Sequence, residues 1–184
     1  KATSFFRGVH WLIIESDSSD NTAEKLDFCK FNINNFRYIS LGDLSESIPL
    51  RTQRIAYCRN QYLQEINNNS IYRNVDYVIV ADIDGMNNLL TSDALQSCWI
   101  RSDWDVCTAN QAGSYYDIWA LRHKDWCPGD CWNEFNFLQD HGLSYKESLF
   151  SAIHSRMITI PRNMSWIEVD SAFGGLAVYK KQYL

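Results

Sequence analysis

Asp82-Ile83-Asp84 sets two carboxylates two residues apart, and in extended backbone such residues project to the same side. So placed, they can share one hard cation, Mn²⁺ or Mg²⁺, which prefers oxygen ligands. Two carboxylates fill only part of its shell. The open positions suit water and the oxygens of a diphosphate, and a cation there would offset the charge that builds on a departing nucleoside diphosphate. The spacing recurs in Asp103-Trp104-Asp105, but the settings differ. Asp82 directly follows the apolar run Tyr77-Val78-Ile79-Val80-Ala81, and Gly85 lets the chain turn away. Asp103 precedes its expected strand, at the edge of a parallel sheet where ligands do not bind. The second pair is expected to be a solvated turn.

The elements that must position these groups follow from periodicity. Residues 9–15 are almost continuously apolar, as in a strand covered on both faces. A polar loop, 16–22, leads into a helix over 23–31, with Asp20 or Ser19 as its cap and Leu26 and a phenylalanine on its buried side. A strand is expected over 36–41. Ile55, Cys58, Tyr62 and Ile66 recur at helical spacing and predict a helix over 52–67. A strand over 75–81, a short helix over 91–99, and strands over 104–110, 116–121 and 166–169 follow, with a last apolar run, Leu176-Ala177-Val178-Tyr179, after the Gly174-Gly175 pair. Strand and helix alternate through the first half. That order predicts an α/β chain with a single open, mostly parallel, Rossmann-like sheet and helices on both faces. The loops after the first strand and after Ala81 should then line one crevice.

Composition narrows the partners. The chain has 184 residues, a formal charge of −5 and a pI near 5.3, which argues against nucleic acid as a partner. Hydrophobic residues at 46% and charged residues at 21% exclude disorder for the bulk of the chain. No apolar run approaches the roughly 20 residues of a membrane span. Aromatics reach 14%, which fits either a core of large rings or a surface that handles carbohydrate. Cys29, Cys58 and Cys107 read as small buried hydrophobes. Cys127 and Cys131 flank a Pro-Gly turn and could be free thiols, a local disulfide or, with His123, three ligands of a metal. Asn68 and Asn163 begin glycosylation acceptor patterns that carry little information.

Residues 9–22, clearest in Ile13-Ile14-Glu15 and Ser18-Ser19-Asp20-Asn21-Thr22, resemble the second strand and following loop of glycosyltransferases with the GT-A fold. Ala56-Tyr57-Cys58-Arg59-Asn60 resembles the Ala-Arg-Asn element of such enzymes, and residues 77–84 resemble their metal-binding Asp-x-Asp strand. The first half is similar to family-2 members. Tyr115-Tyr116-Asp117-Ile118-Trp119-Ala120-Leu121-Arg122 and Phe173-Gly174-Gly175-Leu176-Ala177-Val178-Tyr179 are similar, more faintly, to the fungal capsule mannosyltransferases. The resemblance implies a GT-A domain with a nucleotide and metal half over about 1–110 and a donor-sugar and acceptor half over about 111–184. It implies donor binding by Glu15, Ser16, Asp17, Arg54, Arg59, Asn60, Asp82, Ile83, Asp84, Gly174 and Gly175, with Asp82 and Asp84 holding Mn²⁺ or Mg²⁺. The chain departs from the pattern in having Ser16 where many members carry a second acid. His154 is a poor substitute for their late metal-ligating histidine. No first strand of that sheet precedes Lys1, so a fragment of a longer protein is expected.

The expected activity is metal-dependent transfer of a sugar from a UDP- or GDP-sugar to a glycan or glycoprotein. A general base beside the acceptor, or a stabiliser on the other sugar face, would come from Asp170 first, then Asp117, with Glu134, Asp130 and Glu168 behind them. Two other readings compete. A sugar-1-phosphate nucleotidylyltransferase would need a basic, glycine-rich triphosphate loop, which is absent from this sequence. A carbohydrate-binding or degenerate transferase-like domain would need no catalytic carboxylate.

Overall fold

The computed structural model describes residues 2–184. The chain divides into two compact units. The first comprises residues through Asp76 together with Thr91–Leu95, and the second comprises Tyr77–Leu90 and Gln96–Tyr183.

In the first unit β1 (Trp11–Glu15) pairs in parallel with β2 (Phe36–Ser40), Trp11 opposite Phe36 and Glu15 opposite Ser40. The crossover between them is α1 (Thr22–Asn32), which packs on β2. It starts beside Asp20, whose carboxylate accepts the Thr22 N–H at 3.0 Å. Leu26 is buried, but Phe28 and Phe31 are 68% and 85% exposed, so neither is the expected core phenylalanine. The helix α2 (Arg51–Asn68) packs on β1. Of its apolar stripe Ile66 is buried, Cys58 and Tyr62 are half-buried, and Ile55 is exposed. The apolar run of β1 is likewise at most half-buried. A ribbon of two strands is too narrow for helices to cover both of its faces.

The second unit holds a three-stranded antiparallel sheet. Its central strand, β5 (Leu176–Lys180), lies between β3 (Tyr77–Ala81) and β4 (Val106–Thr108), with Ala81 opposite Leu176 and Thr108 opposite Ala177. Leu176, Ala177 and Val178 are buried, as befits a central strand. Between β3 and β4 in sequence come the short α3 (Ser92–Gln96), all but its last residue in the first unit, and a 3₁₀ turn, Ser97–Ile100, in the second. Two further helices, α4 (Cys131–Asp140) and α5 (Tyr145–Ala152), pack on each other where the sequence pattern had predicted no element. The core of this unit gathers Tyr115, Ile118, Leu121, Cys127, Cys131, Phe135, Ala152 and Ile153.

The single open, mostly parallel sheet is therefore not what the chain forms. It builds a two-stranded parallel sheet and a separate three-stranded antiparallel one. The alternation of strands and helices records element order but not pairing. Here the last strand in sequence inserts between two earlier ones and runs against both. The strands expected over 116–121 and 166–169 are absent as well. Residues 118–120 form a turn, and Ile118 and Leu121 are both 1% exposed. That spacing of three belongs to a turn, since a strand buries alternate residues.

Candidate functional site

The Asp82–Gly85 loop leaves β3 and is tied at once to the glycine pair that precedes β5. The Asp82 N–H donates to the Gly175 carbonyl at 2.9 Å. The Asn87 side-chain amide donates to both the Asp82 carbonyl, at 2.7 Å, and the Gly175 carbonyl, at 2.9 Å. Asp84 accepts the Met86 N–H at 3.3 Å, and Gly85 turns the chain at φ +100°. Asp82 is half-buried, Asp84 is exposed, and Ile83 between them is 76% exposed.

Gly174 and Gly175 adopt φ +68° and +83°, a region that favours glycine. A Cβ on Gly174 would lie 2.7 Å from the Ala109 carbonyl oxygen, and one on Gly175 would lie 3.2 Å from the Tyr116 hydroxyl. Neighbours hold this backbone from several sides. Asp117 accepts the Gly174 N–H at 3.1 Å, the Gln111 amide donates to the Gly174 carbonyl at 2.8 Å, and the Tyr115 hydroxyl accepts the Phe173 N–H at 3.3 Å. Burial pushes the Tyr115 phenol up to about 12.

Tyr116 joins the parts of this site. Its phenol is raised above its ordinary value, first by burial and then by the negative charges of Asp117, Asp82 and Asp84. The Tyr116 hydroxyl, the Asp117 carboxylate and the Asp82 backbone thus all meet the glycine pair. In the sequence Tyr116 falls inside the Tyr115–Arg122 motif, with no role of its own. Its adjacency to Asp117 is the available signal, and both residues reach the glycine pair.

The donor set at this loop is all oxygen, which fits Mn²⁺ or Mg²⁺. Among the described residues no group of three or more His, Cys, Asp or Glu is arranged to hold a metal ion. Asp82 and Asp84 would leave most of a cation's shell to water and ligand oxygens.

The second Asp-x-Asp pair is built differently. Asp103 makes two charge-assisted bonds with the Arg101 guanidinium. The first of these influences, the Arg101 hydrogen bond, holds its carboxyl down to about 2. Trp104 is 8% exposed and donates its indole N–H to the Arg101 carbonyl at 2.9 Å. The Asp105 carbonyl accepts the Lys180 N–H at 3.1 Å.

In the first unit Glu15 ends β1. Burial works against its ionisation, but bonds from the Ser40 hydroxyl, at 2.6 Å, and the Ser18 N–H, at 3.0 Å, outweigh it and leave the pKa below its ordinary value. The Ser16 hydroxyl shares a bond with the Cys58 thiol at 3.5 Å. Asp17, at φ +63°, accepts the Leu44 and Ser45 N–H groups, each at 2.9 Å, and meets the Arg54 guanidinium at 3.5 Å. Arg54 also donates to the Ile48 and Pro49 carbonyls. Asp17 and Arg54 therefore clamp the 42–49 loop. Arg59 and Asn60 are exposed on α2.

The remaining candidates scatter over the second unit. Asp170 is exposed, and its backbone joins the Arg122–Ser171 bridge by donating to the Arg122 carbonyl at 2.9 Å. Asp130 caps α4, accepting the Trp132 and Asn133 N–H groups. Glu134 pairs with Arg156. Glu168 and His154 are exposed. Cys127 and Cys131 carry free thiols in the fully buried core. His123 Nδ1 accepts the Asp125 and Trp126 N–H groups and so serves the turn.

No helix among the described residues is long and apolar enough to cross a membrane. No protein-family model matches the chain, and neither a curated protein nor a solved structure matches it.

Proposed function

We propose that the protein is a metal-dependent glycosyltransferase that moves a sugar from a UDP- or GDP-sugar to a glycan or glycoprotein acceptor. One observation carries the reading. An Asp-x-Asp loop with an exposed second carboxylate is tied to a close-packed glycine pair, and Asp117 and Tyr116 stand beside the same backbone. The carboxylates supply oxygen ligands, and the glycines let a ligand approach the main chain closely.

In this reading Asp84 would hold Mn²⁺ or Mg²⁺, and Asp82 would help hold it or bind the ribose. The cation, when bound, supplies charge neutralisation for the diphosphate leaving group. Asp117 orients the Gly174 backbone through its bond to that N–H and is placed to act on the acceptor or the donor sugar. Tyr116 adds a hydroxyl to the same region. Asp170 stands as the alternative carboxylate.

The test is Mn²⁺-dependent hydrolysis across a panel of UDP- and GDP-sugars, with Asp84→Ala, Asp117→Asn and Asp170→Asn beside the wild type. Slow hydrolysis that requires metal and is lost in Asp84→Ala is expected. A residue acting on the transition state should lower kcat far more than donor affinity. Release of pyrophosphate from a nucleoside triphosphate would instead identify a nucleotidylyltransferase. Oligosaccharide binding without hydrolysis of any donor would identify a carbohydrate-binding domain.

A further inference from the structure

Trp119 and Trp132 are 51% and 38% exposed. With Asp130 and Asn133 they line an open hollow of about 520 Å³ in the second unit, within the roughly 300–1,000 Å³ of small-molecule clefts. Large exposed aromatics gathered in one place are unusual on a surface and mark sites of contact.

Both rings are held before any ligand arrives. The Trp119 indole N–H donates to Asp130 Oδ2 at 3.3 Å. Trp132 packs edge-on against Phe135, centroids 5.5 Å apart and planes at 72°. Its backbone N–H donates to Asp130 Oδ1 at 2.8 Å. Asp130 thus anchors both tryptophans. Rings fixed in this way lose little freedom on binding.

The charges in the hollow are already matched. Asp130 accepts from two N–H groups of α4, from the Trp119 indole and, at 3.2 Å, from the Arg122 guanidinium. Arg122 also donates to the Trp119 and Leu121 carbonyls, at 2.9 and 2.6 Å, and its charge is paired with Asp130. An anionic ligand such as phosphate meets no unspent cation, and a cationic one meets a carboxylate already neutralised. What remains is two flat apolar faces and the Asn133 amide, which both donates and accepts. A wholly apolar ligand would use the two faces but leave that amide unmatched. A neutral ring with an apolar C–H face and a hydroxylated rim satisfies both, and a pyranose has that form.

We propose that Trp119, Trp132 and Asn133 form a subsite for uncharged pyranose rings, where the glycan acceptor docks. The role of acceptor rests on the transferase reading, whereas the binding of sugar does not. The experiment titrates the protein with mannotriose, cellotriose, chitotriose and lactose up to about 20 mM, a range suited to weak ligands, following tryptophan fluorescence and saturation-transfer NMR. At least one sugar should bind without nucleotide or metal. Trp119→Ala and Trp132→Ala should each weaken it about tenfold or more, and Asn133→Ala severalfold. Trp119→Phe, which keeps a ring, should retain part of the affinity, and Asp103→Ala, in an exposed ion pair with Arg101, should retain all of it. Failure of all four sugars to bind, or equal binding by wild type and both alanine variants, would overturn the subsite. Sugar binding that needs the tryptophans, in a protein that hydrolyses no donor, would uphold the subsite and remove the transferase reading.

Discussion

Two segments of this chain share the pattern Asp-x-Asp, and their middle residues show how differently they are used. Ile83 stands 76% exposed, whereas Trp104 is 8% exposed and packs against Trp99 and Tyr77, with the Lys180 ammonium over its ring. Burying Trp104 turns its flanking carboxylates outward, where Asp103 is taken up by Arg101. In the other segment the apolar residue points outward, the Asp82 backbone is bonded to Gly175, and the Asp84 carboxylate stays in its own loop on the Met86 N–H. Spacing alone does not make a metal site. What distinguishes the first pair is an exposed middle residue and a close-packed glycine backbone bonded to it, where the second pair has a buried tryptophan and an arginine on its first carboxylate.

The largest expected effect on this contrast comes from Asp84→Ala. Metal-dependent donor hydrolysis should fall by about 100-fold or more in kcat/KM, roughly 2.7 kcal/mol of transition-state stabilisation. The thermal midpoint should hold, because an exposed carboxylate is removed. The double variant Asp103→Ala, Asp105→Ala should stay within about twofold of wild type. Loss of activity in the double variant, with Asp84→Ala unharmed, would reverse the assignment.

Gly174→Ala probes the backbone that only the first pair possesses. The added Cβ meets the Ala109 carbonyl at 2.7 Å and sits at φ +68°. Strain and clash together should cost about 2–3 kcal/mol, lowering the melting temperature by about 4–12 °C for a chain of this size. A melt unchanged by Gly174→Ala would show that the glycine is not needed for this backbone.

Tyr116→Phe asks whether the phenol contributes beyond packing. Donor turnover should fall by about tenfold with stability preserved, in line with the loss of one hydrogen-bonding group. If kinetics match the wild type, Tyr116 is only a neighbour of the carboxylates.

The smallest effect concerns the control pair. Asp103 has a folded-state pKa of about 2 against an ordinary 3.8. A depressed carboxyl stabilises the folded state above its unfolded pKa, and that contribution is lost as pH falls through the folded value. The Arg101–Asp103 pair should therefore be fully effective above about pH 4 and lost near pH 2. An NMR titration should place the Asp103 midpoint near 2, and Arg101→Ala should move it up toward the ordinary value. The pair lies at the surface, so the change in overall stability should be slight.

The sequence by itself determined the locally encoded elements. The apolar runs before Glu15 and Asp82 became β1 and β3, the crossover helix and α2 formed within a residue or two of their expected bounds, and Leu176–Lys180 formed the last strand. Each rests on hydrophobic period and on breakers within a few residues. The position of Asp82 and Asp84 at the end of β3 was legible for the same reason. The helices α4 and α5 were legible too but went unread: Asp130 caps one, and Ser144 with Glu147 forms a capping box on the other. Only the tertiary structure decided strand pairing. Alternating strands and helices looked like one parallel sheet, but β5 runs antiparallel between β3 and β4, and no local pattern specifies which distant strand a segment will join. Tertiary structure also gathered Tyr116, Asp117 and Gly175 around the Asp82–Gly85 loop and spent Asp17 and Arg54 on holding a loop. A side chain's type and spacing state what it can do, while its partners, often dozens of residues away, decide whether it remains available to do it.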